Sequence, residues 1–337
     1  MSFDVSIIIP CKDESETIRL LLTALRDQTY PKDKMEIIIA DGMSSDDTRE
    51  KIANFQKENP GMQVLVVDNP KINIPAALNA GIQSSQGKII IRMDAHSIPN
   101  SDYIERCVAS LDQGLGDNVG GVWDIRPQTN TPIAKAIAAA AAHPLAVGNA
   151  LYRHATKAAY VDTVPFGAFK RELLDKVGMF DETLLTNEDY EFNTRIRQNG
   201  GRIWLDPEIR CTYYARKNLV DLGKQYWRYG FWKAQMIKRY PKTLRLRQAL
   251  PPLLVASVLL LSIFSFMSST ALILLLGELA LYLLSLLAVG IQLAIKEKQT
   301  GHILNVPLAI ATMHFNWGAG FIRGLFFRLP YTEDKVS

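Results

Sequence analysis

Several residues that can bind metals or move protons follow apolar runs of the sequence, at points where a strand would end. The run "KIIIRMDAH", Lys88–His96, ends in Asp94 and His96, and a later segment, "TNEDYEFNTRI", carries Glu188 and Asp189. A carboxylate and an imidazole two residues apart can provide two ligands for a divalent cation, and imidazole suits Mn²⁺ at least as well as Mg²⁺. The alternative is that Asp94 caps a local turn and His96 is a surface side chain.

The elements that must position these residues are strands and helices in alternation. β-rich runs begin at Val5, Glu36, Val64, Lys88 and Gly120. The apolar spacing between them predicts amphipathic helices over Ser15–Gln28, Asp46–Glu58, Pro75–Ser84 and Ser101–Leu111. Strands buried on both faces and separated by helices predict an α/β fold with a mostly parallel sheet and flanking helices. In such sheets ligands bind beyond the carboxyl ends of the strands.

These strand ends offer carboxylates rather than glycine-rich loops. Glu14 follows the first strand, Asp41 the second and Asp94 the fourth. No G-x-G-x-x-G follows the first strand and no G-x-x-x-x-G-K-[ST] occurs, which argues against dinucleotide binding and against a P-loop nucleotidase. Because carboxylates repel a diphosphate unless a cation lies between them, a diphosphate ligand at these strand ends would need a divalent cation.

Four segments together resemble the inverting glycosyltransferase family 2, which has the GT-A fold. They are "SIIIPCKDE", "IIIADGMSSDDT", "PAALNAGIQSSQGKIIIRMDAH" and "TNEDYEFNTRI", and they follow the family's order and spacing over about residues 5–233. The segment "VDTVPFGAFKRELLDKVGMFDE" and the apolar tail resemble membrane-attached bacterial exopolysaccharide glucosyltransferases of the succinoglycan biosynthesis type.

The resemblance implies roles for the residues at the strand ends. Pro10 and Glu14 match the motif that lies against the donor nucleotide, and Asp41 matches the aspartate that reads the base, usually uracil. Asp94 and His96 fall on the D-x-D metal motif, where this sequence departs from the family by having His at the third position. A divalent cation is therefore expected at Asp94 and His96, with Mn²⁺ favoured over Mg²⁺.

A second implied role is that of the catalytic base. Asp189 matches the second residue of the family's E-D motif and is expected to take the proton from the acceptor hydroxyl, with Glu188 near the acceptor or diphosphate. Thr186 or Asn187 is expected to cap the helix that begins here. The alternative is structural, because acidic residues stabilise the first turn of any helix.

The segment "KQYWRYGFWK" carries a third motif. Gln225, Arg228 and Tyr229 resemble the Q-x-x-R-W motif of lipid-linked and processive members, which lies near the acceptor and the diphosphate, with Tyr replacing Trp. Arg228 offers two parallel donors to a phosphate. The alternative is a helix that only anchors the protein at the headgroup level of a membrane.

The C-terminal third is strongly apolar, with segments at about 249–268, 270–295 and 303–327. The first two predict a helical membrane hairpin. Glu278 within the second is expected to face another helix or another subunit, which leaves a homo-oligomer open. The third is either another span or a re-entrant or interfacial helix, and the basic residues Arg323, Arg328 and Lys335 favour the latter.

Charge and cysteine content point to a cytosolic catalytic part. Basic residues flank both outer ends of the hairpin, so both ends are expected on the cytosolic face of the inner membrane. The N-terminus does not resemble a signal peptide, and the three cysteines form no C-x-x-C pair and suit a reducing compartment. The net charge of +4 is small, and no motif indicates nucleic-acid binding. We therefore expect a cytosolic domain at residues 1–235 and a membrane-associated region at 236–337.

The sequence leads to one hypothesis and three alternatives. The hypothesis is an inverting transferase that moves one sugar, glucose by resemblance, from a UDP-sugar to a polyprenyl-diphosphate-linked glycan at the membrane. The first alternative is a processive polysaccharide synthase. The second is a non-catalytic membrane scaffold, which would be expected to lack Asp41, Asp94 or Asp189, although all three are present. The third is a retaining GT-A enzyme or a nucleotidyltransferase, in which the E-D and Q-x-x-R elements would not be expected.

Overall fold

The computed structural model describes residues 3–327, which form two compact units. The first comprises residues 3–124 and 151–213, and the second comprises residues 125–150 and 214–327. Arg328 and Lys335, which enter the prediction for the last apolar segment, lie outside the described residues.

The described residues form the following strands: β1 (Val5–Cys11), β2 (Met35–Asp41), β3 (Gln63–Asp68), β4 (Ile89–Arg92), β5 (Ile98–Pro99), β6 (Asn118–Pro127), β7 (Ala159–Tyr160), β8 (Ala168–Lys170) and β9 (Ile203–Ala215). They also form the following helices: α1 (Ile18–Arg26), α2 (Thr48–Glu58), α3 (Ile74–Gln83), α4 (Tyr103–Asp112), α5 (Pro132–Ala141), α6 (Pro144–Val147), α7 (Leu173–Val177), α8 (Glu188–Gln198), α9 (Leu219–Arg239), α10 (Leu246–Phe264), α11 (Ser269–Glu297) and α12 (His302–Phe326). Short 3₁₀ helices lie at Lys32–Lys34, Leu151–Arg153 and Pro241–Thr243.

One sheet organises the first unit, with the strand order β3-β2-β1-β4-β8-β6-β9-β5 and β7 paired to β9. Strands β1 to β4 are parallel to one another, in the positions that the apolar runs predict. Strand β8 pairs antiparallel to both β4 and β6, while β5 and β7 pair antiparallel to β9. The sheet therefore combines a parallel half with an antiparallel half.

The isoleucine-rich strands are buried on both faces because helices cover both sides of the sheet. In β1, Ile7 and Ile9 join the core on the side of α1, α2 and α4, whereas Ile8 joins the core that holds Leu78 of α3 and Phe192 of α8. This alternation is the period of two expected for a strand. Because β1, β2 and β4 are parallel, their carboxyl ends lie at the same edge of the sheet.

The second unit is helical. Helices α10 and α11, of 19 and 29 residues, are long and apolar enough to cross a membrane, which fits the predicted hairpin. The hydroxyl of Ser257 in α10 donates a hydrogen bond to Glu278 in α11, which confirms that Glu278 faces another helix. Helix α12 is continuous and packs on α5, α9, α10 and α11. It is not one of the two candidate spans.

Candidate active site

A buried arginine at the end of β4 lies among three carboxylates. Arg92 is 4% exposed, and its Nη2 lies 2.9 Å from Asp94 Oδ1 and 2.8 Å from Glu188 Oε1. Its Nη1 forms an ion pair with Asp189. One guanidinium thus links the turn after β4 to the first turn of α8, and the two motifs predicted to act on the donor and the acceptor lie side by side.

The first turn of α8 is held by backbone conformation and by a second ion pair. Asn187 precedes the helix in the left-handed region, with φ 70°, a position that favours asparagine among non-glycine residues. It occupies the predicted capping position, but neither its side chain nor that of Thr186 makes the expected hydrogen bond to the helix N-terminus. That part of the prediction is wrong. One turn further on, Arg195 Nε forms an ion pair with Glu191 Oε1 at 2.6 Å, which stabilises the helix.

The environment of Asp189 raises its pKa to about 7. Burial is the main cause, because it disfavours the charged form. The Arg92 guanidinium opposes the change, whereas the negative charges of Glu188 and Asp94 add to it. The side chain nevertheless keeps 24% of its surface exposed, so a substrate hydroxyl can reach it. A carboxylate with this pKa is suited to act as a general base near neutral pH.

Glu14 and His96 form the outer part of the site. His96 Nδ1 lies 2.9 Å from Glu14 Oε1, which connects the end of β1 to the turn after β4. Asp94 accepts from Arg92 through Oδ1, and its Oδ2 has no hydrogen-bond partner within residues 3–327. Over the same residues, no group of three or more His, Cys, Asp and Glu side chains is arranged to hold a metal ion alone. Asp94 Oδ2 thus offers an oxygen to a cation, and the binding of a cation by Asp94 together with His96 stays a prediction.

Asp41 lies at the end of β2 and is fully buried. Ser44 donates to its carboxylate from both the backbone nitrogen, at 3.0 Å to Oδ2, and the hydroxyl, at 2.5 Å to Oδ1. Arg49 Nε also donates to Oδ2, at 2.6 Å, while Arg49 Nη2 pairs with Asp68 at the end of β3. Pro10 lies in β1 beside β2, opposite Ala40. These contacts make Asp41 the support of a loop and of Arg49, and its role toward a base stays a prediction.

The Q-x-x-R-Y residues lie on α9, in the second unit. Gln225 is buried and its Nε2 donates to the Tyr229 hydroxyl at 2.9 Å, one helical turn away. Arg228 is exposed on the same helix. The pairing of Gln225 with Tyr229 explains why a hydroxyl-bearing aromatic residue is useful at that position. The contact of these three residues with an acceptor stays a prediction.

Comparison with known proteins identifies the family of the chain. The model of the family described as Glycosyl transferase family 2 matches residues 6–178. The chain belongs to glycosyltransferase family 2. It is 30% identical over 321 residues to the succinoglycan biosynthesis protein ExoA of Rhizobium meliloti (strain 1021), covering 95% of this chain and 94% of that protein.

Two further likenesses extend over nearly the whole chain. A dolichyl N-acetyl-alpha-D-glucosaminyl phosphate 3-beta-D-2,3-diacetamido-2,3-dideoxy-beta-D-glucuronosyltransferase of Methanococcus voltae is 27% identical over 329 residues, covering 95% of this chain and 97% of that protein. The structure of a mannosyltransferase from Pyrobaculum calidifontis, in complex with GDP-Man and Mn²⁺, superposes with a TM-score of 0.58 at 20% identity, covering 93% of this chain and 87% of that one. This last likeness confirms the GT-A fold.

Two functional candidates in this family 2 chain were not found from the sequence. Arg92 stands in the apolar run "KIIIRM", where a charged residue inside a buried strand was the available signal. Buried arginines are rare unless paired, so its position alone predicts a cluster of acids around it. Arg49 left no comparable signal, because charged residues are ordinary in the first turn of an amphipathic helix.

Proposed function

We propose that this family 2 glycosyltransferase is a membrane-attached, inverting enzyme that transfers a single sugar from a UDP-sugar to a polyprenyl-diphosphate-linked glycan. Glucose is the proposed sugar, and the product is a surface polysaccharide or exopolysaccharide. The observation that carries the proposal is the convergence of Asp94, Glu188 and Asp189 on Arg92. In the proposal Asp94 is the carboxylate on the donor side and Asp189, whose pKa is raised, is the base.

The reaction needs a proton acceptor on the face of the sugar opposite the leaving group. Asp189 removes the proton of the acceptor hydroxyl while the hydroxyl oxygen forms a bond to the anomeric carbon. The bond between that carbon and the diphosphate oxygen breaks, and its electron pair leaves with the nucleoside diphosphate. Attack from the opposite face converts an α-linked donor into a β-linked product.

Asp94 and His96 would hold the divalent cation, for which Mn²⁺ is favoured over Mg²⁺ because of the imidazole ligand. When bound there, the cation supplies positive charge next to the departing diphosphate. Glu14 holds His96 in place through the 2.9 Å contact. Pro10 and Asp41 are proposed to line the nucleotide site, Asp41 through the loop and the arginine that it supports.

The acceptor is proposed to be lipid-linked because the chain carries two helices that can cross a membrane. A relative similar along its whole length is named for succinoglycan biosynthesis, and another for transfer to a dolichyl-linked sugar. Gln225, Arg228 and Tyr229, on the helix that precedes the hairpin, are proposed to bind the acceptor diphosphate. The catalytic unit would then work on the cytosolic face of the inner membrane.

The test is release of nucleoside diphosphate by the full chain in detergent, with Mn²⁺ or Mg²⁺, across a panel of UDP- and GDP-sugars with lipid extract as acceptor. We expect metal-dependent release from one UDP-sugar, lost in Asp189→Asn and kept in Asp175→Asn, a matched change at an exposed residue of α7. Release from GDP-sugars alone would overturn the UDP assignment. A ladder of long products would favour the processive alternative over single transfer.

A further inference from the structure

The guanidinium of Arg92 occupies the place where three carboxylates converge. Asp94 Oδ1 and Glu188 Oε1 share its Nη2, and Asp189 faces its Nη1. Within residues 3–327 these carboxylates are not arranged to hold a metal ion while Arg92 lies between them, although carboxylate oxygens are the ligands that divalent cations prefer. In this chain the positively charged guanidinium of Arg92 occupies the position between the carboxylates.

Arg92 is buried and packs against an aromatic ring as well as against the carboxylates. Its side chain is 5% exposed, and the ring of Phe166 lies 5.8 Å from its guanidinium carbon. Phe166 itself has φ 51°, a strained conformation for an aromatic residue, and its carbonyl accepts a hydrogen bond from Tyr103. A backbone conformation of this kind persists only where the surrounding structure enforces it. The guanidinium of Arg92 therefore packs against a residue whose own position is constrained.

A small cavity lies behind the guanidinium. Its volume is about 10 Å³, and Arg92, Asn118, Asp189 and Asn193 are among its lining residues. Within the described residues, Arg92 Nε and Asn118 Oδ1 are buried without a hydrogen-bond partner. The volume suits one water molecule, which would accept from Nε and donate to Asn118. The back side of the guanidinium thus offers Arg92 further polar support.

We propose that Arg92 is a positioning residue that confines the catalytic divalent cation to the outer oxygen of Asp94 and to His96, and keeps it away from Asp189. This inference rests on the proposed function, in which Asp94 binds the cation. A carboxylate that coordinates a metal cannot also accept a proton, so a cation drawn into the cluster would block the base. Arg92 separates the metal-binding side from the proton-accepting side of one acidic cluster.

The decisive measurement is Mn²⁺ binding to the full chain in detergent, without nucleotide, by electron paramagnetic resonance. The wild-type protein is expected to bind Mn²⁺ weakly, with two protein ligands. Arg92→Met is expected to bind it about tenfold to a hundredfold more tightly, because three carboxylates become available. The double variant Arg92→Met with Asp189→Asn should lose most of that gain. Arg92→Lys should stay near the wild-type affinity, since it keeps the charge.

The control is Arg171→Met. Arg171 directly follows β8, donates to the Gly87 and Ile82 carbonyls and to the Ser85 hydroxyl, and forms no ion pair within residues 3–327. It is expected to leave Mn²⁺ affinity unchanged even if it lowers the melting temperature. Unchanged Mn²⁺ affinity in a folded Arg92→Met protein would overturn the proposal.

A second measurement avoids any change at Arg92 and so does not depend on that variant folding. In the otherwise wild-type chain, Asp189→Asn should leave Mn²⁺ affinity unchanged while Asp94→Ala abolishes it. If Asp189→Asn also weakened Mn²⁺ binding, Asp189 would be a ligand and the proposal would be wrong. If Asp94→Ala had no effect, the metal assignment in the proposed function would fail instead.

Discussion

The proposed role of Asp189 as the base predicts how the rate of sugar transfer depends on pH. A general base works only in its ionised form, and burial raises the pKa of this carboxyl from its ordinary value of 3.8 to about 7. The rate should therefore rise with pH through neutrality and level off above about pH 8. An aspartate with an ordinary pKa would already be ionised at pH 5 and would give no such rise.

The size of the effect can be worked from the pKa. With a value of about 7, roughly a tenth of Asp189 is ionised at pH 6 and roughly nine-tenths at pH 8. The value of kcat/KM, which reports the free enzyme, should thus increase about tenfold between these two pH values. Asp189→Asn should lower transfer by about 10²- to 10⁴-fold, and its residual rate should be independent of pH over this range.

The assay is nucleoside diphosphate release at low donor concentration in a constant-ionic-strength buffer series. Asp175→Asn serves as the control, because its carboxylate is exposed on α7 and its loss should leave the profile unchanged. Circular dichroism at each pH separates loss of the base from loss of the fold. A flat wild-type profile between pH 6 and 8, with the fold intact, would refute Asp189 as the base.

Three further outcomes are expected. Asp94→Ala should abolish the increase in UDP affinity that Mn²⁺ produces in the wild type. Titration calorimetry that shows the same increase in the variant would contradict Asp94 as a ligand. Asp189→Asn should melt at a higher temperature than the wild type at pH 8. Folding raises the pKa of the Asp189 carboxyl, so its ionised form destabilises the fold above that pKa. The difference in melting temperature should shrink as the pH falls toward 4. Gly230→Ala should lower the melting temperature, since a Cβ there would lie 2.1 Å from the Trp317 carbonyl oxygen, whereas Gly277→Ala, with nothing within 4 Å, should not.

The parallel half of the sheet could be predicted because its strands are continuous apolar runs. Strands β1 to β4 and the helices between them lie within a few residues of the predicted positions. The strands β5, β7 and β8 have only two or three residues each, too few for any periodicity to be recognised. Strand β9 is long and its charged residues alternate with buried ones, but Pro207 lies within it and argues against a strand. Its pairing depends on contacts distant in sequence.

The residues of the candidate site could also be predicted only in part. Residue type and motif predicted Asp94, His96, Glu188 and Asp189 as site residues. The structure places the two motifs next to each other, on either side of Arg92. The sequence could not show that Arg92 joins them, because the ion pair to Asp189 spans 97 positions and depends on how α8 packs against β4. The absence of a side-chain cap on α8 was equally hidden, since Thr186 and Asn187 are both residues that commonly cap.

The energetics of the Arg92 cluster connect catalysis to stability. Buried charges are costly to desolvate, and removing one partner of a buried ion pair leaves the other uncompensated. Arg92 can remain buried because three carboxylates surround it, and Asp189 can stay partly ionised in the same surroundings because Arg92 faces it. A variant at any of these residues will therefore change folding stability together with activity. A merely structural role predicts that kcat/KM and Mn²⁺ affinity fall only as far as the melting temperature does. A catalytic or positioning role predicts that kcat/KM, its pH profile or Mn²⁺ affinity changes even where the melting temperature does not.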